Sequence, residues 1–107
     1  MLSLIPLSLE KIKKEDLDKQ ILRAGIIAEL DAINLYEQMS ALTMNENIRT
    51  MLLDVVKEEK THVGEFQAVL LGIDKEQERE LKGGGKEVAK SRKKCRWSPF
   101  RKKGDMK

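Results

Sequence analysis

Two mostly apolar stripes, each advancing in steps of four and three, restrict this chain to packed helices. The first reads Leu22, Ile26, Glu29, Ile33, Tyr36, Ser40; the second reads Ile48, Leu52, Val55, Glu59, His62, Phe66, Val69. That spacing keeps each set on one face of an α-helix. Glu15, Asp16 and Asp18 open the first stripe with negative charge, where it opposes the helix dipole. Between the stripes, "TMNE" predicts a capping box in which Thr43 and Glu46 serve each other's backbone. The second helix is expected from about Met44 to Leu71, with Gly72 as its stop. Asp74 and Gln77 predict the cap of a short third helix, ended by Gly83-Gly84-Gly85.

The expected fold is therefore all-α, an antiparallel two-helix hairpin with a short third helix. Residues 1–14 form an irregular N-terminal segment, 15–82 the helical body and 83–107 a flexible tail. A hairpin of this size offers one partner to each stripe and is marginal alone. Pairing two copies into a four-helix bundle would bury both stripes. Gly25 and Gly64, each costing about 1 kcal/mol inside a helix, make sense where another backbone approaches closely.

At 107 residues the chain has room for one small domain. With 36% charged and only 4% aromatic residues, it favours helices with solvated faces over an aromatic-rich sandwich. No apolar run approaches the roughly 20 residues that span a bilayer. The charges of "MLSLIPLSLEKIKK" follow its apolar part, the reverse of a secretory signal. A single cysteine, Cys95, permits no internal disulfide and fits a reducing cytoplasm. Residues 1–85 carry 11 Lys and Arg against 16 Asp and Glu, whereas residues 86–107 carry 10 against 2. An acidic body thus precedes a basic tail.

The chemistry lies in the stripes. Glu29 interrupts the first; Glu59 and the only histidine, His62, interrupt the second. Ionisable groups facing an apolar interior are heavily penalised unless neutralised. Carboxylates and a neutral imidazole suit iron, manganese or zinc. The Glu59–His62 spacing stacks both side chains on one helix face, one turn apart. Glu29 and Glu59 stand 14 and 16 residues from a turn near residue 43, so an antiparallel hairpin brings them to nearly one level. Di-iron carboxylate bundles use one Glu from each of two helices and Glu-x-x-His from each of the other two. This chain supplies half of that set, and a twofold axis would complete it with four Glu and two His. The competing explanation is that such pairs are solvated helix charges.

"AELDAINLYEQM" followed by "KEEKTHVGEF" resembles the encapsulated ferritins, the ferritin-like cargo of encapsulin nanocompartments, over residues 15–82. The resemblance implies two-helix protomers dimerising into a ferritin-like four-helix bundle and assembling into a ring-shaped decamer. It implies ferroxidase activity, oxidising Fe(II) with dioxygen at a di-iron site on the dimer interface and feeding iron mineralisation and storage. The implied iron ligands are Glu29, Glu59 and His62 from each of two chains, two irons per interface, with Tyr36 beside them. Tyr36 then hydrogen-bonds a ligand, supplies an electron or simply packs. Asp31 matches the family's acidic iron-entry site, although a neighbouring glutamate position is Ala28 here. The implied partner is an encapsulin shell protein, in some archaeal members as a fusion. The implied location is the cytoplasm, inside the nanocompartment.

Asp31, Glu58 and Glu65 otherwise read as solvated charges, with Glu65 able to reach the rim of the site. Two further functions stand beside the ferroxidase: a helical interaction module with a structural metal, and a nucleic-acid binder using the basic tail with its Trp97 and Phe100.

Overall fold

The turn between the first two helices shows how this chain closes on itself. The structure, a computed structural model, describes residues 12–92. Helix α1 spans Lys14–Leu42, α2 spans Glu46–Ile73 and α3 spans Lys75–Arg92. Only Thr43, Met44 and Asn45 separate α1 from α2. Arg49, in the first turn of α2, reaches back: its Nε donates to the Ser40 carbonyl at 3.1 Å and Nη2 to the Thr43 carbonyl at 2.6 Å. Nη1 pairs with Glu46. The C-terminal carbonyls of α1 have no partners within their own helix, and a cation there also meets the negative end of the dipole. With the Arg49 side chain one-third exposed, the clamp contributes about 1 kcal/mol.

The cap of α2 differs from the expected box. Asn45 Oδ1 accepts from the backbone of Asn47 at 2.9 Å and Ile48 at 3.1 Å. Thr43 Oγ1 instead accepts from the Asn45 backbone at 3.2 Å. Asparagine is as good an N-cap as serine or aspartate, and here it stands next to the helix start. Glu46 is engaged by Arg49 and does not reach back.

The described residues divide into two units between Ile73 and Asp74. In the first unit α1 packs along α2. Ile33, Leu52, Val56 and Leu70 are its buried apolar residues. The first stripe lies where expected; of the second, Leu52 is buried and Val55, Glu59, His62 and Phe66 are half-buried, but its most buried edge is turned away from the expected ends. Leu52, Val56 and Leu70 face inward, while Ile48 and Val69, the ends of the expected stripe, are exposed, Val69 by 57%. Taken together the apolar arc of α2 exceeds the width that one neighbouring helix can cover.

Gly25 is explained by a ring. A Cβ there would lie 2.7 Å from Phe66 Cε1, so the missing side chain is what lets Phe66 settle against α1. A Cβ on Gly64 would meet nothing within 4 Å, so the expected close approach at Gly64 is not made among the described residues. Gly25→Ala should therefore lower stability by about 1–3 kcal/mol through overpacking, less the helix-propensity gain of about 1 kcal/mol. Gly64→Ala should gain that propensity alone. Thermal melts of both variants at matched concentration check the contrast; a gain in Gly25→Ala as large as that in Gly64→Ala would refute it.

In the second unit Asp74 caps α3 as expected, its Oδ1 accepting from the Gln77 backbone at 3.0 Å. The expected glycine stops do not operate. Gly72 lies inside α2, and α3 continues through Gly83, Gly84 and Gly85 to Arg92. A glycine ends a helix by taking the left-handed conformation, and Gly72, Gly83 and Gly84 do not adopt it. The helix thus extends ten residues beyond the expected boundary at 82; the remainder of the expected tail lies outside the described residues.

Candidate metal centre

Glu29 sits mid-way along α1, between the turns that carry Ile26 and the buried Ile33. Glu59 and His62 sit on α2 between Val56 and Phe66. The antiparallel packing brings them together: one donor atom from each of the three lies within 4.8 Å of the others. His62 Nδ1 is 3.4 Å from Glu59 Oε2 and 3.6 Å from Glu29 Oε2. The two carboxylates are largely covered, with side chains 21% and 17% exposed, whereas His62 is 44% exposed.

Glu29 Oε2 is buried and has no hydrogen-bond partner. At 3.6 Å the His62 nitrogen is too distant to donate to it. Leaving a buried charged oxygen unsatisfied costs more than the 1–3 kcal/mol of a neutral group. A cation between the three donors removes that cost. Ligands about 2.1 Å from one ion are themselves spaced by about 3.4 Å, close to the separations of His62 Nδ1 from both carboxylates. The donor set, two hard oxygens and one imidazole nitrogen, suits iron, manganese or zinc.

Tyr36 is half-buried on the same face of α1, two turns or about 10 Å along the axis from Glu29. Asp31 follows Glu29 by two residues, so helical geometry turns it by about 200°, to the opposite face. It is 6% exposed and has a partner, so the expectation of a solvated charge fails there. Glu58 and Glu65 are exposed, as expected. Glu65 lines a shallow groove of about 220 Å³ with Leu22, Phe66 and Val69.

His62 opens onto the uncovered half of the apolar arc of α2. Ile48, Met51, Val69 and Ile73 are exposed there, on the flank of α2 that also carries His62. Met51 and Ile73 fall outside the stripe expected from spacing. A wider arc, counted at 100° per residue, would have included them.

No protein-family model matches the chain. Its sequence is 58% identical, over 91 residues, to the ferritin-like-encapsulin shell fusion protein of Pyrococcus furiosus, covering 82% of this chain and 26% of that protein. It is 39% identical over 75 residues to the encapsulin nanocompartment cargo protein EncC of Myxococcus xanthus, covering 70% of this chain and 55% of that one. The chain thus spans about a quarter and about half of these two relatives. The crystal structure of the encapsulated ferritin domain from Pyrococcus furiosus superposes with a TM-score of 0.72 at 53% identity, covering 84% of this chain and 94% of that domain. Helices and donor set together define a ferritin-like chain. Within that class it belongs to the encapsulated ferritin domains.

Proposed function

We propose that this protein is a ferroxidase whose complete centre forms between two copies, oxidising Fe(II) to Fe(III) with dioxygen for mineralisation and storage inside an encapsulin shell. The observation that carries the reading is the convergence of Glu29, Glu59 and His62 around a buried, unbonded carboxylate oxygen. The names of the relatives, one a shell fusion and the other nanocompartment cargo, support the compartment.

Iron is the substrate, and bound as a pair it supplies two electrons to dioxygen. The chain's own residues hold and tune it. Glu29 and Glu59 are anionic oxygen donors, which favour Fe(III) over Fe(II) by their charge, and His62 adds a nitrogen. The apolar neighbours Ile33 and Val56 lower the dielectric around the carboxylates, so their attraction for a cation is stronger than in water. Tyr36, two turns along the same face, takes its role from the resemblance: orienting a ligand carboxylate through its hydroxyl or supplying an electron. The entry role of Asp31 rests on the resemblance alone, since the residue is buried on the face of α1 opposite Glu29.

The half-exposed His62 and its apolar surround support the need for a second copy. One Glu and one Glu-x-x-His cannot hold two metals; two chains related by a twofold axis can. A ring of such dimers, a decamer, follows from the family.

Crystals soaked in Fe(II), with anomalous scattering at the iron edge, test the site. Iron is expected between Glu29, Glu59 and His62 of two copies. A complete two-iron site inside one protomer would overturn the shared centre, and iron bound elsewhere would overturn the ligand set.

A further inference from the structure

Helix α3 sorts its charges by face. Lys75, Arg79, Lys82, Lys86 and Lys90 recur at spacings of four, three, four and four. At about 100° per residue, all five fall within one arc of about 80°. Glu76, Glu80 and Glu87 occupy the adjoining arc on one side, Glu78 borders the row on the other, and Leu81, Gly84 and Val88 occupy a third arc. All five cations are exposed. Glu76 and Glu78 stand three and four residues before Arg79 and Lys82, where ion pairs could form. Yet none of the five makes an ion pair or side-chain hydrogen bond among the described residues. The result is a row of exposed, unpaired cations about 22 Å long, bordered by glutamates on either side. In sequence the basic character continues through Lys93, Lys94, Arg96, Arg101, Lys102 and Lys103, with Trp97 and Phe100 among them.

We propose that this row binds the phosphate backbone of nucleic acid. Five cations in a line match an extended polyanion better than a single anion, which needs convergent donors. A membrane surface is the other extended polyanion, but helices that lie on lipid insert a bulky apolar face. The apolar arc of α3 holds Leu81, Val88 and glycines, which is little to insert. Four of the five cations are lysines, which act as point charges rather than planar forks, so binding is independent of base sequence. The row uses no residue of the proposed iron centre.

The test is fluorescence anisotropy of the full chain against a 20-bp duplex DNA of arbitrary sequence, between 50 and 200 mM salt. Five phosphate contacts predict a log–log slope of about −4.5 or steeper, a loss of at least roughly 500-fold in affinity over that range. The triple variant Lys82→Gln, Lys86→Gln, Lys90→Gln should make the slope shallower by about 2.7. Glutamine preserves helix propensity, and circular dichroism checks that α3 is retained. No binding at 50 mM salt would overturn the proposal. So would an unchanged slope in the triple variant, or binding to phosphatidylserine vesicles in preference to the duplex.

Discussion

Replacing His62 with alanine is expected to lower the rate of Fe(II) oxidation by at least about 100-fold, and Glu59→Ala by a similar factor. Changing a group that merely orients a metal ligand costs about 10–100-fold; these two are the proposed ligands themselves. If the centre is shared about a twofold axis, each substitution also deletes two ligands at once. The two variants should differ in stability, and the sign is informative. Glu59 Oε2 stands 3.4 Å from His62 Nδ1, and Glu29 Oε2 stands 3.6 Å from the same atom. Removing Glu59 without metal present relieves carboxylate crowding, so that variant should melt no lower than the parent. Removing His62 leaves two carboxylates without their nearest nitrogen, so its metal-free form should melt lower. Oxidation is followed as ferric absorbance after oxygen is admitted to protein loaded anaerobically with Fe(II). A rate near that of the parent in either variant would remove that residue from the centre.

Iron should also drive assembly. If two copies meet at the uncovered face of α2, they bring two Glu29 and two Glu59 carboxylates into an apolar surround. Without a cation that concentration of charge opposes association. Fe(II) binding only to the assembled form must pull the equilibrium toward it, by about 2.7 kcal/mol at one hundred times the dissociation constant. Dilute metal-free protein should therefore sediment as smaller species, and an iron titration should convert it to larger ones. Glu29→Ala should blunt the shift, because the oxygen left without a hydrogen bond is the one it removes. Val69→Ala should weaken association with and without iron alike, since it trims the 57%-exposed apolar surface and touches no ligand. Analytical ultracentrifugation across the titration distinguishes these cases. Identical size distributions with and without iron, down to the lowest measurable concentration, would show that apolar contact alone sets the assembly.

The parts of this molecule legible in its sequence are those governed by period. Leu22, Ile26, Glu29 and Ile33 form one face because a helix repeats every 3.6 residues, whatever surrounds it. The same arithmetic brought Glu29 level with Glu59 and stacked Glu59 under His62. What period could not supply was rotation. On α2 both Leu52–Val56–Leu70 and Ile48–Met51–Val69 are coherent stripes, and which of them meets α1 depends on how the two helices settle. Phe66 entering the gap at Gly25 is a contact between residues 41 apart, invisible to any local pattern. The expected cap of α2 failed for a different reason, whereas Asp74 caps α3 as its spacing to Gln77 predicts. Thr43, Asn45 and Glu46 can each serve an N-terminus, and Arg49, from one turn later, draws Glu46 away. Likewise Gly83–Gly85 permit a break without requiring one.

The Arg49 clamp has a consequence for the order of events during folding. A connection of three residues costs little loop-closure entropy, and the bonds from Arg49 to Ser40 and Thr43 span nine and six residues. Contacts this local form early and quickly, as in other chains of low contact order. The hairpin can then close outward from its tip, bringing Glu29 and Glu59 together before any second chain arrives. On the proposed shared centre, encounter between two copies would then be a docking of already closed hairpins, and its rate should scale with concentration while hairpin closure does not.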